Sequence, residues 1–235
     1  MLKTSIIIKM ARNWRPIEYK FILLGDSSVG KSAIFKRLSG TSFSPNQIAT
    51  IGTEKEILNF DVLEIDKNNH RNFKIVLFDT AGQERYKAIT KSYFRDSQGI
   101  ILIYSIVDET SFQHIQVWLD SIKDSLSDWK KSGYMVMLLG NKLDIAEDNK
   151  EERKIRKEEA EKICNEQKIY WGGECSAKTF DENQLNEIFI KFMKQIYLKL
   201  GNDDNKNKSQ ISKKLATPKK KRTDCCSRFI DNSEK

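Results

Sequence analysis

The stretch that decides the fold is Gly25-Asp26-Ser27-Ser28-Val29-Gly30-Lys31-Ser32. It fits the pattern of a phosphate-binding loop, in which two glycines frame four residues and a lysine and a hydroxyl residue follow. The mostly apolar residues 19–24 precede it and predict a buried strand, and Ile34, Phe35 and Leu38 follow at helical spacing. The alternative is a glycine-rich turn with an incidental lysine, which this strand–loop–helix context disfavours. The sequence therefore predicts a site for a nucleoside triphosphate.

The chemistry of this loop assigns a role to most of its residues. Glycines let the backbone wrap closely around phosphate oxygens, so that successive amides and the helix N-terminus face the negative charge. Lys31 can reach the β- and γ-phosphates, and the Ser32 hydroxyl can ligate Mg²⁺. The predicted nucleotide-binding residues here are Asp26, Ser27, Ser28, Val29, Gly30, Lys31, Ser32 and Ala33. The loop alone does not name the base.

Two further segments fall at the ends of predicted strands and point to guanine. They are Gly140-Asn141-Lys142-Leu143-Asp144 and Glu174-Cys175-Ser176-Ala177-Lys178. A carboxylate only accepts hydrogen bonds, and guanine offers adjacent N1–H and N2–H donors where adenine offers neither. An aspartate at that edge favours guanine, because a mismatched base leaves a buried polar group unpaired. The predicted base-binding residues are Asn141, Lys142, Asp144, Ser176, Ala177 and Lys178.

A segment after the strand that ends at Phe78 carries candidate switch residues: Asp79-Thr80-Ala81-Gly82-Gln83-Glu84-Arg85. The aspartate can hold Mg²⁺ through water, the Gly82 amide can sense the γ-phosphate, and Gln83 can orient the attacking water. Thr50 lies in the preceding polar loop, where its hydroxyl can ligate Mg²⁺ and release the loop after hydrolysis. Without its position between the phosphate loop and the strand before Asp79, Thr50 would be interpreted as an ordinary loop threonine. The predicted catalytic residues are Gln83, Lys31 and Thr50, and the predicted Mg²⁺ ligands are Ser32, Thr50 and Asp79.

Strands alternating with helices predict the fold class. We expect an α/β, doubly wound, mostly parallel six-stranded sheet with helices on both faces, the architecture of a P-loop small G domain. Residues 1–18 are a polar extension, 19–200 the folded domain and 201–235 a basic tail without regular structure. Ligands of such sheets bind beyond the carboxyl ends of the strands, where all these segments lie.

Composition and charge narrow the function classes. The chain has 235 residues, 39% of them hydrophobic, and no apolar window of membrane-span length, so we expect a cytosolic protein. From Lys199 onward there are 11 Lys/Arg against 5 Asp/Glu, which accounts for +6 of the net charge of +8. A basic tail indicates an anionic partner, either membrane or nucleic acid. Cys164 and Cys175 stand in apolar-periodic surroundings and are predicted to be buried thiols.

With these residues in view, the chain resembles Rab-type small GTPases of the Ras superfamily over residues 19–200. Further strings carry the resemblance: Phe78 through Tyr86, Ser92-Tyr93-Phe94-Arg95, and Ser111-Phe112 leading to Trp118-Leu119. It implies a GTP/GDP cycle with Mg²⁺, Phe43 as the aromatic that covers guanine, and a monomer. It also implies an exchange factor, a GTPase-activating protein, state-specific effectors and a role in vesicle and membrane traffic, with no nucleic-acid partner.

Three positions depart from the Rab pattern. Lys55 stands where Rabs carry phenylalanine, Phe78 where they carry tryptophan, and Ser105 where they carry aspartate. By the same resemblance, the first two alter an exposed aromatic surface that effectors read, of which Tyr93 remains. The nucleotide-binding segments are unaffected.

The adjacent Cys225 and Cys226 follow Lys219-Lys220-Lys221-Arg222 and resemble the double-cysteine prenylation site of Rabs. That pair normally lies at the terminus, whereas residues 227–235 follow here, and the end is not a C-a-a-X box. The pair is geranylgeranylated, palmitoylated or unmodified. A basic patch with two lipids is a stable two-signal anchor, so we expect peripheral attachment to the cytosolic face of an organelle or vesicle membrane.

Three rival functions stay open. They are a GTP-binding scaffold without hydrolysis, a P-loop ATPase or kinase, and a non-lipidated GTPase of signalling or nuclear type. Gln83, Thr50 and Asp79 argue against the first, and Asp144 against the second. Elsewhere, His70 and His114 are interpreted as isolated surface residues, and Trp118, beside a helical stripe, as packed or partly exposed and not as a cofactor contact.

Overall fold

A computed structural model describes residues 16–45, 53–66, 69–80, 94, 96–126 and 133–215, with only the backbone of 61–66, 69–70 and 201–215. The chain divides into two compact units, Met1–Lys199 and Leu200–Lys235. The predicted roles of Thr50, Gly82, Gln83, Cys225 and Cys226 fall outside the described residues. So does Tyr93.

Strands and helices alternate along the first unit. The strands are β1 (Ile17–Leu24), β2 (Thr53–Asp66), β3 (Asn69–Thr80), β4 (Gly99–Ser105), β5 (Met135–Asn141) and β6 (Tyr170–Glu174). The described helices are α1 (Lys31–Leu38), α2 (Glu109–Gln113), α3 (Ile115–Ser125), α4 (Leu143–Asp148), α5 (Lys157–Gln167) and α6 (Glu182–Leu215). In the second unit, residues 200–215 are the end of α6.

The six strands form one sheet in the order β2-β3-β1-β4-β5-β6. Strand β2 runs antiparallel to β3, and the other pairs are parallel. Strand order reverses between β1 and β4, which is the switch point where such sheets bind ligands. The predicted α/β fold with a mostly parallel six-stranded sheet is confirmed.

Apolar side chains cover both faces of the sheet, as expected for parallel strands. All seven residues of β4 are buried. On one face, Phe21 of β1 packs against Phe189 and Phe192 of α6, with ring centroids 6.5 and 5.6 Å away. On the other face, Ile22 and its neighbours pack in one cluster with residues of α3 and α5. Burial on both faces holds the strands rigidly, so the loops at their carboxyl ends start from fixed positions.

Element bounds differ from the predicted ones in two places. The charged helix predicted over residues 151–167 begins at Lys157, because a 3₁₀ turn at Lys150–Glu152 and extended backbone at Arg153 precede it. The final helix continues past the predicted end at residue 200 to Leu215, so residues 201–215, expected to lack regular structure, are helical. That stretch holds one glycine and no proline, and a helix that has begun adds each further residue at little cost.

The two cysteines of the first unit match their prediction as buried thiols. Cys164 and Cys175 are free and buried. Burial raises the pKa of both thiols, so both stay protonated and are poor nucleophiles.

Candidate nucleotide-binding site

The loop between β1 and α1 has a backbone that only glycine accommodates at two points. Gly25 has φ +135°, and a Cβ there would lie 2.1 Å from the Ile103 carbonyl oxygen of β4. Gly30 has φ +99°, and a Cβ there would lie 2.1 Å from Asn141 Nδ2. Ser28 between them is also left-handed, at φ 63°. The loop is thus pressed against Ile103 of β4 and Asn141 of β5.

Lys31 opens helix α1 and is nearly fully buried, with 5% of its surface exposed. Its Nζ donates hydrogen bonds to the carbonyl oxygens of Gly25 at 3.0 Å and Asp26 at 2.6 Å. Burial lowers the pKa of this amine to about 8, and the carboxylates of Asp79 and Asp26 partly oppose the shift. A buried cation with a lowered pKa is stabilised by an added anion, so the site fits a phosphate group.

Asp79 lies at the carboxyl end of β3, opposite Leu23 of β1, and has no exposed surface. Next to it, Thr80 Oγ1 donates to the Leu23 carbonyl oxygen at 2.8 Å. Among the described residues no group of three or more His, Cys, Asp or Glu could hold a metal ion. One carboxylate and the Ser32 hydroxyl fit Mg²⁺, which usually takes one or two carboxylates together with phosphate oxygens and water.

Asn141 connects the phosphate loop to the segment that follows β6. Its Nδ2 donates to the Val29 carbonyl oxygen at 2.8 Å, and its Oδ1 accepts from the Ala177 amide at 3.0 Å. The Asn141 side chain is 2% exposed. Residues 29, 141 and 177 are far apart in sequence, and one side chain fixes their relative positions.

The carboxylate of Asp144 is held in a defined orientation. Ser176 Oγ donates to Asp144 Oδ1 at 2.6 Å and itself accepts from the amides of Lys178 and Thr179 at 3.2 and 3.1 Å. Lys178 Nζ lies 3.8 Å from Asp144 Oδ2. Lys142 precedes the aspartate in a left-handed conformation, with φ 69°. An ionised carboxylate has about four acceptor sites, so Asp144 can still accept hydrogen bonds from a base edge.

The structure brings most of the predicted residues together at one edge of the sheet. Ser27 is exposed in the phosphate loop, and Ala33 is buried in α1. Phe43 is partly buried and belongs to the segment that follows α1 in the chain. Two departures from the Rab pattern meet, because Lys55 and Phe78 are cross-strand partners. Lys20 Nζ also lies 5.3 Å from the Phe78 ring centroid, so two lysines, Lys20 and Lys55, neighbour this phenylalanine.

Sequence reasoning missed two pairs of contacts. His114 and Trp118 both bond to the Asp26 carboxylate, so the interpretation of His114 as isolated is wrong, and Trp118 makes this bond in addition to its packing in the core. Arg153 makes a bidentate ion pair with Glu174, at 2.8 and 2.9 Å. Both pairs are long-range in sequence, and no local spacing indicates them.

A phosphate loop at a switch point, tied to a carboxylate that can read a base, defines a P-loop protein of the guanine-nucleotide-binding class. Comparison with known proteins names the group within that class. A sequence model described as "Ras family" matches residues 20–198. The chain belongs to the Ras family.

The relatives found are Rab proteins. Ras-related protein Rab-13 of Bos taurus is 39% identical over 89% of this chain and 95% of its own length. Ras-related protein SEC4 of Saccharomyces cerevisiae is 32% identical over 88% of this chain and 90% of its own length. Ras-related protein Rab-8 of Diplobatis ommata is 36% identical over 86% of this chain and 89% of its own length. These relatives confirm the predicted Rab-like GTPase of vesicle traffic, which binds guanine nucleotide and hydrolyses GTP.

Proposed function

We propose that this site holds GTP and GDP with their phosphates in the loop after β1 and their base between the segments after β5 and β6. The residues that would contact the phosphates are Asp26, Ser27, Ser28, Val29, Gly30, Lys31, Ser32 and Ala33, with Thr50 and Gly82. Those that would contact the base and ribose are Phe43, Asn141, Lys142, Asp144, Ser176, Ala177 and Lys178.

The observation that carries this proposal is the double hydrogen bond of Asn141. Its amide holds the phosphate loop through Val29 and the base segment through Ala177. A ligand that spans both loops must carry phosphate at one end and a hydrogen-bonding base at the other, and a nucleotide does. Asp144 supports guanine because a carboxylate can only accept, and Ser176 already donates to one of its oxygens.

Ser32, Thr50 and Asp79 would hold Mg²⁺. The ion supplies charge neutralisation on the phosphate oxygens and a fixed orientation for the transferred group. In the chain itself, Lys31 places a positive charge at the phosphates, and its bonds to Gly25 and Asp26 fix that charge in position. Gln83 would orient the attacking water.

Hydrolysis by these groups is expected to be slow without help. Rapid turnover in this class needs an arginine supplied by a partner, which contributes roughly 10³–10⁵ in rate. As a Rab-like GTPase, the protein works with exchange factors, GTPase-activating proteins and effectors. We propose that the effectors read the surface around Lys55 and Phe78.

A nucleotide competition experiment tests the base assignment. Purified protein loaded with a fluorescent GDP in Mg²⁺ buffer is challenged with GDP, GTP, ADP or ATP. We expect displacement by GDP and GTP, and none by ADP or ATP at a thousandfold higher concentration. Single-turnover hydrolysis of bound GTP then separates a slow GTPase from a scaffold that only binds. Displacement by ATP would contradict the role of Asp144.

We further propose that the protein attaches peripherally to an organelle or vesicle membrane through its tail. In the part of the chain that the structure describes, no helix is long and apolar enough to cross a bilayer. The support is the basic run Lys219-Lys220-Lys221-Arg222 beside Cys225 and Cys226, because one lipid with a basic patch, or two lipids, anchors stably. Intact mass of the protein from its own cells tests this. Two isoprenoid additions on the cysteines are expected, whereas bare cysteines would favour the non-lipidated signalling or nuclear GTPase.

A further inference from the structure

The Asp26 carboxylate, in the phosphate loop, is bonded by two side chains from the start of α3. His114 Nδ1 lies 2.5 Å from Asp26 Oδ2, and Trp118 Nε1 donates to Asp26 Oδ1 at 2.7 Å. His114 is the residue immediately before α3, and Trp118 lies four positions later. Residues four apart share one face of a helix, so both point at the loop together.

These contacts determine which groups donate. An ionised carboxylate only accepts hydrogen bonds, and the indole N–H only donates. His114 Nδ1 must therefore carry a proton in this geometry. Both carboxylate oxygens of Asp26 are thus engaged, and the side chain is 18% exposed.

The same residue anchors Lys31 through its backbone. Lys31 Nζ donates to the Asp26 carbonyl oxygen at 2.6 Å, so the orientation of that peptide decides where the lysine charge lies. Two bonds on the side chain restrain the peptide. They also direct a negative carboxylate toward two donors on α3, and a carboxylate free to turn toward bound phosphates would repel them.

We propose that His114 and Trp118 are positioning residues that fix the phosphate loop through Asp26 and thereby slow nucleotide release. This inference rests on the proposed binding of phosphates by the loop. It goes further by assigning control of nucleotide lifetime to a helix start that belongs to neither the phosphate nor the guanine segments.

The two residues differ in packing, which allows polar and packing effects to be separated. The His114 side chain is 48% exposed, so its burial contributes little. Trp118 is 5% exposed and also belongs to the apolar cluster. His114→Asn keeps a donor nitrogen at the place of Nδ1, whereas His114→Ala removes it. Trp118→Phe keeps an aromatic ring and removes only the N–H donor with part of the volume.

The experiment measures release of fluorescent GDP into excess unlabelled GDP with Mg²⁺, for wild type and each variant. We expect His114→Ala and Trp118→Phe each to raise the dissociation rate about tenfold, the factor for losing one hydrogen bond to a charged group. His114→Asn is expected to stay within about twofold of wild type. Val117→Ala, an exposed position on the same helix, is the matched control and should change nothing.

A double-mutant cycle ties the effect to Asp26. In an Asp26→Asn background the acceptor charge is already gone, so adding His114→Ala should change the rate less than about twofold. A role in stability alone would lower the melting temperature of His114→Ala and leave its GDP release rate at the wild-type value. The proposal is wrong if His114→Ala releases GDP at the wild-type rate, or if His114→Asn is as fast as His114→Ala. A wild-type protein that retains no nucleotide would instead overturn the proposed function.

Discussion

The phosphate half of the site, residues 25–33 with Asp79, is held mainly by backbone, whereas the guanine half, residues 141–144 and 174–178, is held by side chains. In the first, glycines let the loop lie against β4 and β5, and carbonyl oxygens orient Lys31. In the second, Ser176 donates to the Asp144 carboxylate, and the Asn141 side chain accepts from the Ala177 amide and donates to the Val29 carbonyl oxygen. Phosphates are common to all nucleotides, and the base is not, so we expect the first half to supply affinity and the second to supply selectivity.

The difference means that the two halves fail in different ways. Added atoms at Gly25 or Gly30 should disrupt the phosphate half, because a Cβ at either position would overlap with Ile103 or Asn141. A changed donor or acceptor disrupts the guanine half without disturbing the fold. Variants in the first should lose every nucleotide together, and variants in the second should change which base is bound.

Gly25→Ala should produce the largest effect. The new Cβ would lie 2.1 Å from the Ile103 carbonyl oxygen, at a φ of +135°, so backbone strain and overlap together cost about 3 kcal/mol or more. For a domain of this size we expect the melting temperature to fall by about 10 °C, with loss of bound nucleotide. Differential scanning fluorimetry and nucleotide content of the purified protein check this.

Gly173→Ala is its matched control. Gly173 also has a positive φ, +91°, but an added Cβ meets nothing within 4 Å. Only the backbone cost of about 1–2 kcal/mol remains, and bound nucleotide should be retained. If both variants lost the same stability, close approach to β4 would have no special role in the phosphate half.

Asp144→Asn should change selectivity rather than stability. An amide nitrogen can donate where the carboxylate could only accept, so the variant should repel guanine N–H donors and accept xanthine, whose C2 carbonyl is an acceptor. We expect GTP affinity to fall by about a hundredfold, because the bond to guanine N2–H is lost and two N–H donors then face each other without a partner, while XTP affinity rises. Competition against fluorescent GDP and XDP measures both.

Asp148→Asn, an exposed substitution on the same helix, controls for charge loss near the site and should leave both affinities unchanged. Equal weakening of GTP and XTP by Asp144→Asn would mean that the segment had simply become disordered. In that case the guanine half would depend on its fold as much as the phosphate half does.

The sequence predicted the members of both halves because their requirements are local. Gly25, Gly30 and Lys31 are adjacent on one strand–loop–helix unit, and Asp144 follows a strand whose burial is visible in its composition. The contacts of Asp26 could not be predicted, since His114 lies 88 residues away. Spacing shows which residues share a helix face but not which loop that face meets.

The start of helix α5 shows the same limit of prediction from sequence. The charged run at residues 151–167 has helical composition throughout, yet Arg153 lies outside the helix, where it pairs with Glu174 of β6. A tertiary ion pair thus accompanies a departure from local helix propensity at that position. Propensity is a weak prior for short segments, and the sequence gives no measure of a partner 21 residues away.

Ser176→Ala tests how far the side-chain bonds of the guanine half depend on one another. It removes the donor to Asp144 Oδ1 and the acceptor for the amides of Lys178 and Thr179. We expect GDP and GTP to weaken by the same factor, about tenfold, because both carry the same base. Thr179→Ala, at an exposed neighbouring position, should have no effect. Unequal weakening of GDP and GTP would indicate that the change reaches the phosphates.

Arg153→Lys should give the smallest effect, and it tests whether the Arg153–Glu174 pair belongs to the guanine half. The Arg153–Glu174 pair lies just before residues 175–178, with side chains 27% and 11% exposed. Lysine keeps the charge but cannot make both hydrogen bonds, so we expect a loss of about 1 kcal/mol and a melting temperature about 2–4 °C lower. GTP affinity should change by less than about threefold, since the bonds of Ser176 and Asn141 remain.

Arg156→Lys supplies the comparison, because the Arg156–Glu159 pair is 77% and 40% exposed, and exposed pairs contribute little. Its melting temperature should match wild type. If Arg153→Lys instead weakened GTP binding by as much as Ser176→Ala, the guanine half would include the ion pair that supports its strand. Selectivity would then depend on the 3₁₀ turn before α5 as well as on the residues that face the base.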